Sequence, residues 1–302
     1  MREPPLKKRT LFVIAGGLAV LAAGFIPALF MRERSEQEPS YPIERQIQYS
    51  FTLHNRTHQP LRNAEFWAQA PVKETASQRC ERLEVSHPYQ LLSDEHGNQT
   101  LRFQFPEMPP FSTVIVSVKA FVSLADTPNP MPPRDLKAYL QAEPFCESDA
   151  PEITRLAATL GQRKPIHAAE KIFNWVTSNV KDSGYIRNER GALYALKNKQ
   201  GDCTEFMYLF AALCRAGQIP ARNMGGYVCS GNTVVKPNDY HNWAEFYDGE
   251  RWRLADPRRK KLMKETSHYI AMQVIVDGPG NAMAGFHRFR FAGEGLKVKM
   301  NG

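Results

Sequence analysis

No glycine-rich, phosphate-cradling loop occurs in the chain, which removes the common nucleotide-binding architectures. No paired Cys/His spacing is present, so neither a metal nor another cofactor is expected. Zinc-finger and helix-turn-helix signatures are missing as well, and nucleic acid is not an expected partner. No internal repeat is found. Cysteine is sparse, at five residues in 302. Neither charge sign dominates: 39 Lys and Arg face 31 Asp and Glu, a net of +8. Part of that excess sits at the start, where Arg2, Lys7, Lys8 and Arg9 oppose Glu3. The rest is spread thinly and favours anionic surfaces only weakly. What remains is a globular composition, 42% hydrophobic and 23% charged, enough for one large or two ordinary domains.

One long uncharged run stands out, Thr10 to Phe30 (TLFVIAGGLAVLAAGFIPALF). As a helix it spans roughly 30 Å, the thickness of a bilayer core. Lys7, Lys8 and Arg9 precede it, and a mixed set from Arg32 to Glu38 follows. The positive-inside rule therefore predicts residues 1–9 as a cytoplasmic tail and 10–31 as a single-pass anchor, with the body outside. A cleaved signal peptide is the rival reading, with Val20-Leu21-Ala22 before the cut. The apolar run continues past that point, which favours the anchor. Either way the body is expected to be exported. In an oxidising compartment the cysteines at 80, 146, 203, 214 and 229 allow two pairs and one reactive leftover. Five unpaired thiols are equally open, and Cys80 with Cys146 is one pairing to consider.

After a charged linker at 32–44, period-two alternation begins. Gln46–Leu53, Ala64–Ala68, Leu101–Phe105 and Thr113–Val118 read as strands with turn signals between them. Residues 45–125 are thus expected to form a small β-sandwich. A proline-rich stretch, Asp126–Pro133, opens a linker over 126–152. A second domain is expected over 153–302. Its candidate helices are Ile153–Leu160, one starting at Pro165 and running to Val180, and Arg190–Lys197. Strands are expected at Arg222–Val228, His241–Tyr247 and Arg251–Ala255.

The most informative stretch is Gln200-Gly201-Asp202-Cys203-Thr204-Glu205, followed by an apolar helical run through Cys214. Asp202 is a good N-cap, and Glu205 three residues on completes a capping box. Gly217 and Pro220 mark the helix end. Cys203 then lies in a first helical turn, where unpaired N–H groups and the positive dipole end favour a thiolate. A thiolate needs a base, and the base an orienter. His241 opens a strand with His241, Trp243, Glu245 and Tyr247 on one face. Asp248-Gly249 is a hairpin signal, and the return strand ends at Asp256-Pro257. A hairpin brings His241 and Asp256 together, and the cysteine helix has a sheet to pack against. On spacing alone these three residues are a weak signal.

The order and content of GDCTEF, GQIPARNMGGYV and HNWAEFYDGERWRLADP resemble the core of the transglutaminase-like superfamily. The resemblance covers about 165 to 257, and Trp175 and Tyr185 also look like family positions. It implies a papain-like α+β fold, with Cys203 as nucleophile, His241 as base and Asp256 as its orienter. The expected architecture is that core, preceded by the β-sandwich and the N-terminal transmembrane helix. The implied chemistry is acyl transfer through a thioester on a protein or peptide substrate, with the Cys203 N–H as oxyanion donor. Peptide or amide hydrolysis is favoured over crosslinking, because nothing marks an amine site. Proteins of this type look bacterial, so the expected location is the periplasmic face of an inner membrane. The alternative is a non-catalytic binding or assembly module on the same fold.

Other features have plainer readings. Trp243 and Trp252 are expected to pack rather than line a groove. Glu245 is either an exposed strand residue or part of a polar cluster. Arg222 and Gly226 are expected to be structural. The basic run Arg258, Arg259, Lys260, Lys261 and Lys264 is either a solvated face or a contact for anionic headgroups or wall polymer. Asn55-Arg56-Thr57 and Asn98-Gln99-Thr100 fit the glycosylation acceptor pattern, which is frequent by chance.

Overall fold

The computed structural model describes Met1, 38–133, 135–161, 164–185, 187–276, Met283 and 288–302. The expected anchor at 10–31 lies outside the described residues, as do 2–9 and 32–37 on either side of it. Among the described residues no helix is long and apolar enough to cross a membrane. Pro39–Gly302 form one compact unit.

Besides the two-residue strand Glu74–Thr75, six strands open that unit: β1 (Ile43–Asn55), β2 (Leu61–Ala70), β3 (Gln78–Val85), β4 (Gln90–Ser93), β5 (Gln99–Met108) and β6 (Thr113–Leu124). Alternation drives the first of them. Ile47, Tyr49, Phe51 and Leu53 are buried, while the residues between them stay half-buried on the other face. β1 pairs antiparallel with β6, and β6 with β3. β2 pairs with β5, and β5 with β4, in a second sheet. An aromatic contact bridges the two, with the Phe51 and Phe66 rings 5.0 Å apart, and within the second sheet Phe66 stacks on Phe103 at 5.5 Å. A β-sandwich results.

Asn55 closes β1 as a buried hub. Its Nδ2 donates to the carbonyls of Gln59, Met108 and Pro109. Asn98 is buried too, and its Nδ2 donates to Val274 O and Asp94 Oδ2. Both amides are committed to internal bonds, so neither offers a glycosylation acceptor. The proline-rich linker is pinned in the same way: Asn129 Nδ2 donates to the carbonyls of Ser40 and Ala76, and Asp126 accepts the Ser267 N–H.

Four helices follow: α1 (Pro151–Leu160), α2 (Pro165–Asn179), α3 (Gly191–Asn198) and α4 (Cys203–Ala216). Proline starts the first two, where its missing N–H costs nothing. α4 is the hub, buried from Glu205 through Arg215. It packs on a sheet made by β7 (Ala221–Val228), β8 (Tyr240–Tyr247), β9 (Trp252–Asp256) and β10 (Tyr269–Ile275). The order is Lys261–Leu262, β9, β8, β7, β10, all antiparallel. Ala221, Ala244, Phe246 and Ala255 join the helical core. Met224, Trp243, Leu254 and Ala271 pack on the other side with Val72 of the sandwich. The sheet is therefore a shared wall between helices and sandwich.

The chain then returns to its beginning. β11 (Phe289–Ala292) pairs with β2, and β12 (Leu296–Met300) pairs with β1. Thr233–Val234, from between β7 and β8, also adds to β1. These segments fall within the expected 153–302 domain in sequence, yet they complete the sandwich sheets. Hydrogen bonding to an open strand edge decides their place, and no local pattern in the chain announces it.

Candidate active site

The start of α4 is fixed by its cap. Thr204 N–H donates to Asp202 Oδ1 at 2.8 Å, and Asp202 N–H donates to Glu205 Oε2 at 3.0 Å. Glu205 Oε1 accepts the Arg190 N–H at 2.9 Å, so one buried carboxylate serves two backbone donors. Burial raises its pKa against the help of those bonds. Gly201 is required beside it: a Cβ there would lie 2.3 Å from Glu205 Cβ. Cys203 is the first helical residue and is half-buried.

His241 stands near the start of β8, opposite Gly226 on β7. A Cβ on Gly226 would meet Ile270 O at 2.1 Å and Met272 N at 3.0 Å. Glycine there keeps the strands close behind the histidine. The hairpin from β8 to β9 forms as expected, with Asp248 Oδ1 accepting the N–H groups of Glu250 and Arg251 at 2.8 Å and Gly249 at φ +105°. It delivers Asp256 to the imidazole: His241 Nε2 and Asp256 Oδ2 are 2.6 Å apart. Tyr269 Oη donates to that same oxygen at 2.9 Å, and Arg259 N–H donates to Oδ1 at 3.1 Å. Behind the imidazole lies the Trp243 ring, 6.5 Å away and 20° from parallel.

The cysteine helix reaches this cluster. Asn242 Nδ2 donates to Thr204 Oγ1 at 3.1 Å, tying the helix start to the histidine strand. Cys203 lies close enough for its sulfur to act electrostatically on the His241 imidazole. Burial disfavours the imidazolium, but the hydrogen bond to Asp256 and the charges of Asp256 and Cys203 outweigh it and push the His241 pKa up to about 9. His241 and Asp256 are thus paired, and the helix that starts at Cys203 is tied to the histidine strand.

Residues 154–257, which span this cluster, match the sequence model of the transglutaminase-like superfamily. The chain carries a transglutaminase-like domain. No curated protein sequence matches the chain significantly. Among solved structures, it is similar to a candidate cysteine protease from Cytophaga hutchinsonii at 22% identity, covering 86% of this chain and 92% of that one, with a TM-score of 0.56. The periplasmic domain of TgpA from Pseudomonas aeruginosa, bound to ethylmercury, matches at 14% identity over 70% of this chain and 90% of that one, with a TM-score of 0.40. The first likeness is one of fold, and it reaches beyond the transglutaminase-like domain itself.

All five thiols are unpaired, so Cys80 and Cys146 are not joined. Burial pushes the Cys80 pKa up to about 11 and that of Cys146 to about 12, and it raises Cys214 and Cys229 as well. Glu245 resolves as a polar partner: Arg222 Nη2 and Nε donate to its Oε2 at 2.6 and 2.8 Å, with both residues buried. The Arg222 guanidinium also covers the Trp252 ring at 4.3 Å. Trp243 and Trp252 are both buried. Trp175 is half-buried under the Lys199 ammonium, whereas Tyr185 is 86% exposed.

Sequence reasoning missed the roles of four residues around the site, two of them a bonded pair. Tyr269 holds Asp256 from a strand beyond it, and only the sheet order places it there. Arg258 Nε donates to Asp182 Oδ2 at 2.9 Å. Asp182 belongs to a two-residue strand paired with Gln200–Gly201, just before Cys203. Asn242 is the fourth, and its neighbour His241 was the only hint. Among the described residues no cluster of His, Cys, Asp or Glu is placed to hold a metal ion.

Proposed function

We propose that this protein is a thiol hydrolase of peptide or amide bonds, working through Cys203, His241 and Asp256. One observation carries the reading. A helix-initial cysteine is tied, through Asn242 and Thr204, to the strand that carries an imidazole 2.6 Å from a buried carboxylate. With Nε2 engaged by Asp256, Nδ1 is the nitrogen that serves the sulfur.

The Cys203 thiolate attacks the carbonyl carbon of the substrate amide. The oxyanion forms at the helix start, where the Cys203 backbone N–H donates to it. His241 passes its proton to the amine, the C–N bond breaks, and a thioester remains on Cys203. Water then attacks the thioester, His241 takes its proton, and the carboxylate product leaves as the thiolate re-forms. Asp256, steadied by Tyr269, keeps the imidazole aimed and stabilises its cation. An amine in place of water gives the crosslinking variant of the same chemistry. Nothing near Cys203 marks a second amine site, which is why hydrolysis is preferred.

We also place the domain outside a membrane, tethered by 10–31. The support is the uncharged run with Lys7, Lys8 and Arg9 before it. Alkaline phosphatase fused after residue 44 gains activity if this is right and stays inactive if the body remains in the cytoplasm. The hydrolase reading is tested with a fluorogenic peptide library. Wild-type protein cleaves members of it, and Cys203→Ala abolishes cleavage. Turnover that survives Cys203→Ala overturns the reading.

A further inference from the structure

Beside His241 lies a cavity of about 440 Å³ whose walls include Arg258, Arg259, Asn238 and Asp239 as well as the imidazole. Two guanidinium groups and a histidine face it, against one carboxylate. Asp239 is itself engaged, since its Oδ2 accepts the Lys236 N–H at 3.0 Å. The carboxylates of Asp182 and Asp256 each lie within 4.0 Å of one of the two arginines but are not among the lining residues.

The two arginines are held differently. Arg258 is set in place by Asp182, with Nε and Nη2 both 2.9 Å from Oδ2. That bond uses one edge of the fork and leaves the Nη1 edge for a ligand. Arg259 has a side chain 50% exposed, and its Nε is 4.0 Å from Asp256 Oδ2. That is beyond hydrogen-bond reach, so the group is attracted to Asp256 without being fixed by it. A guanidinium offers planar donors that match a carboxylate in pairs. A neutral group filling the same space would forgo the charge-assisted bonds that these donors offer an anion.

We propose that this cavity is the subsite for an anionic group of the substrate, a carboxylate carried within about one residue of the scissile amide and held by Arg258 and Arg259. The distance limit follows because the cavity shares His241 with the reacting cluster, and one residue of chain spans about 3.3–3.6 Å. The proposal rests on the reading of Cys203 as the nucleophile.

The test uses two small alkylating agents on the full chain near neutral pH, iodoacetate and iodoacetamide, with the rate read at Cys203 by peptide mapping. An ordinary thiolate repels iodoacetate and reacts faster with the neutral reagent. Here iodoacetate is expected to react at least as fast and to saturate. Arg258→Gln and Arg259→Gln should each lower the ratio of the iodoacetate rate to the iodoacetamide rate by roughly tenfold, the size of a lost hydrogen bond to a charged group. Asp182→Asn removes the support of Arg258 but keeps the cation, and should retain the iodoacetate preference. Slower reaction with iodoacetate in the wild type overturns the proposal. So does a preference that survives in the double arginine variant, which would assign it to the imidazolium alone. Either result leaves the nucleophile reading standing, provided iodoacetamide still selects Cys203. If neither reagent selects Cys203 over the other thiols, both readings fall.

Discussion

Tyr269 Oη and His241 Nε2 share one oxygen, Asp256 Oδ2, at 2.9 and 2.6 Å. The phenol occupies one lone pair, so the other is directed at the imidazole. Together with the Arg259 N–H on Oδ1, this leaves the carboxylate little rotational freedom. A carboxylate fixed in this way sustains the high pKa of His241.

The first prediction concerns that pKa. His241 should titrate near 9 by NMR, and Asp256→Asn should move the titration downward. The sign for stability follows directly. A histidine pKa raised from 6.5 to about 9 contributes stability that is full below about pH 6.5 and is lost as pH rises through about 9. Turnover that needs the imidazolium as acid should fall over the same upper limb. An unchanged titration in Asp256→Asn would contradict the assignment.

Gly226→Ala should destabilise the fold. The added methyl would meet Ile270 O at 2.1 Å, and that atom is backbone in the next strand. Overpacking of this kind costs about 1–3 kcal/mol, visible as a lower melting temperature. A variant as stable as wild type would show that the strands behind His241 have room to part.

Glu245→Ala should cost more. It leaves the Arg222 guanidinium buried and unpaired, a loss of roughly 3–5 kcal/mol in urea unfolding. Replacing both partners, Arg222→Met with Glu245→Leu, should recover most of that loss. Equal destabilisation of the single and double variants would mean that the pair is required for packing rather than for charge balance.

Asp202→Ala removes the cap of α4, at about 1 kcal/mol of stability. Because Cys203 is the next residue, fraying of that turn should also slow alkylation of its sulfur. Peptide mapping under limiting iodoacetamide checks both the site and the rate.

Much of this was legible because the signals are local. The capping box Asp202…Glu205 predicted the start of α4 at Cys203, and Pro165 that of α2, while α1 starts at Pro151, two residues before the expected Ile153. The Asp248-Gly249 turn predicted the hairpin that brings Asp256 to His241. Strand alternation in Gln46–Leu53 was read correctly but short, since β1 runs from Ile43 to Asn55. What was not legible is long-range. β3 carries Arg79, Glu81, Arg82 and Glu84, which blur its period, and β4 is mostly exposed. β11 and β12 close the sandwich only by pairing with strands more than two hundred residues earlier. Tyr269 and the Arg258–Asp182 pair likewise depend on which segments the sheets set side by side.

The account stands on Cys203 and His241 acting as one unit, and limiting iodoacetamide near neutral pH measures this most directly. Cys203 should be alkylated far ahead of Cys80, Cys146, Cys214 and Cys229, and His241→Ala should slow that site toward the rate of an ordinary thiol while the variant remains folded. Slow, equal labelling of the accessible cysteines in the wild type, unaffected by His241→Ala, would contradict it.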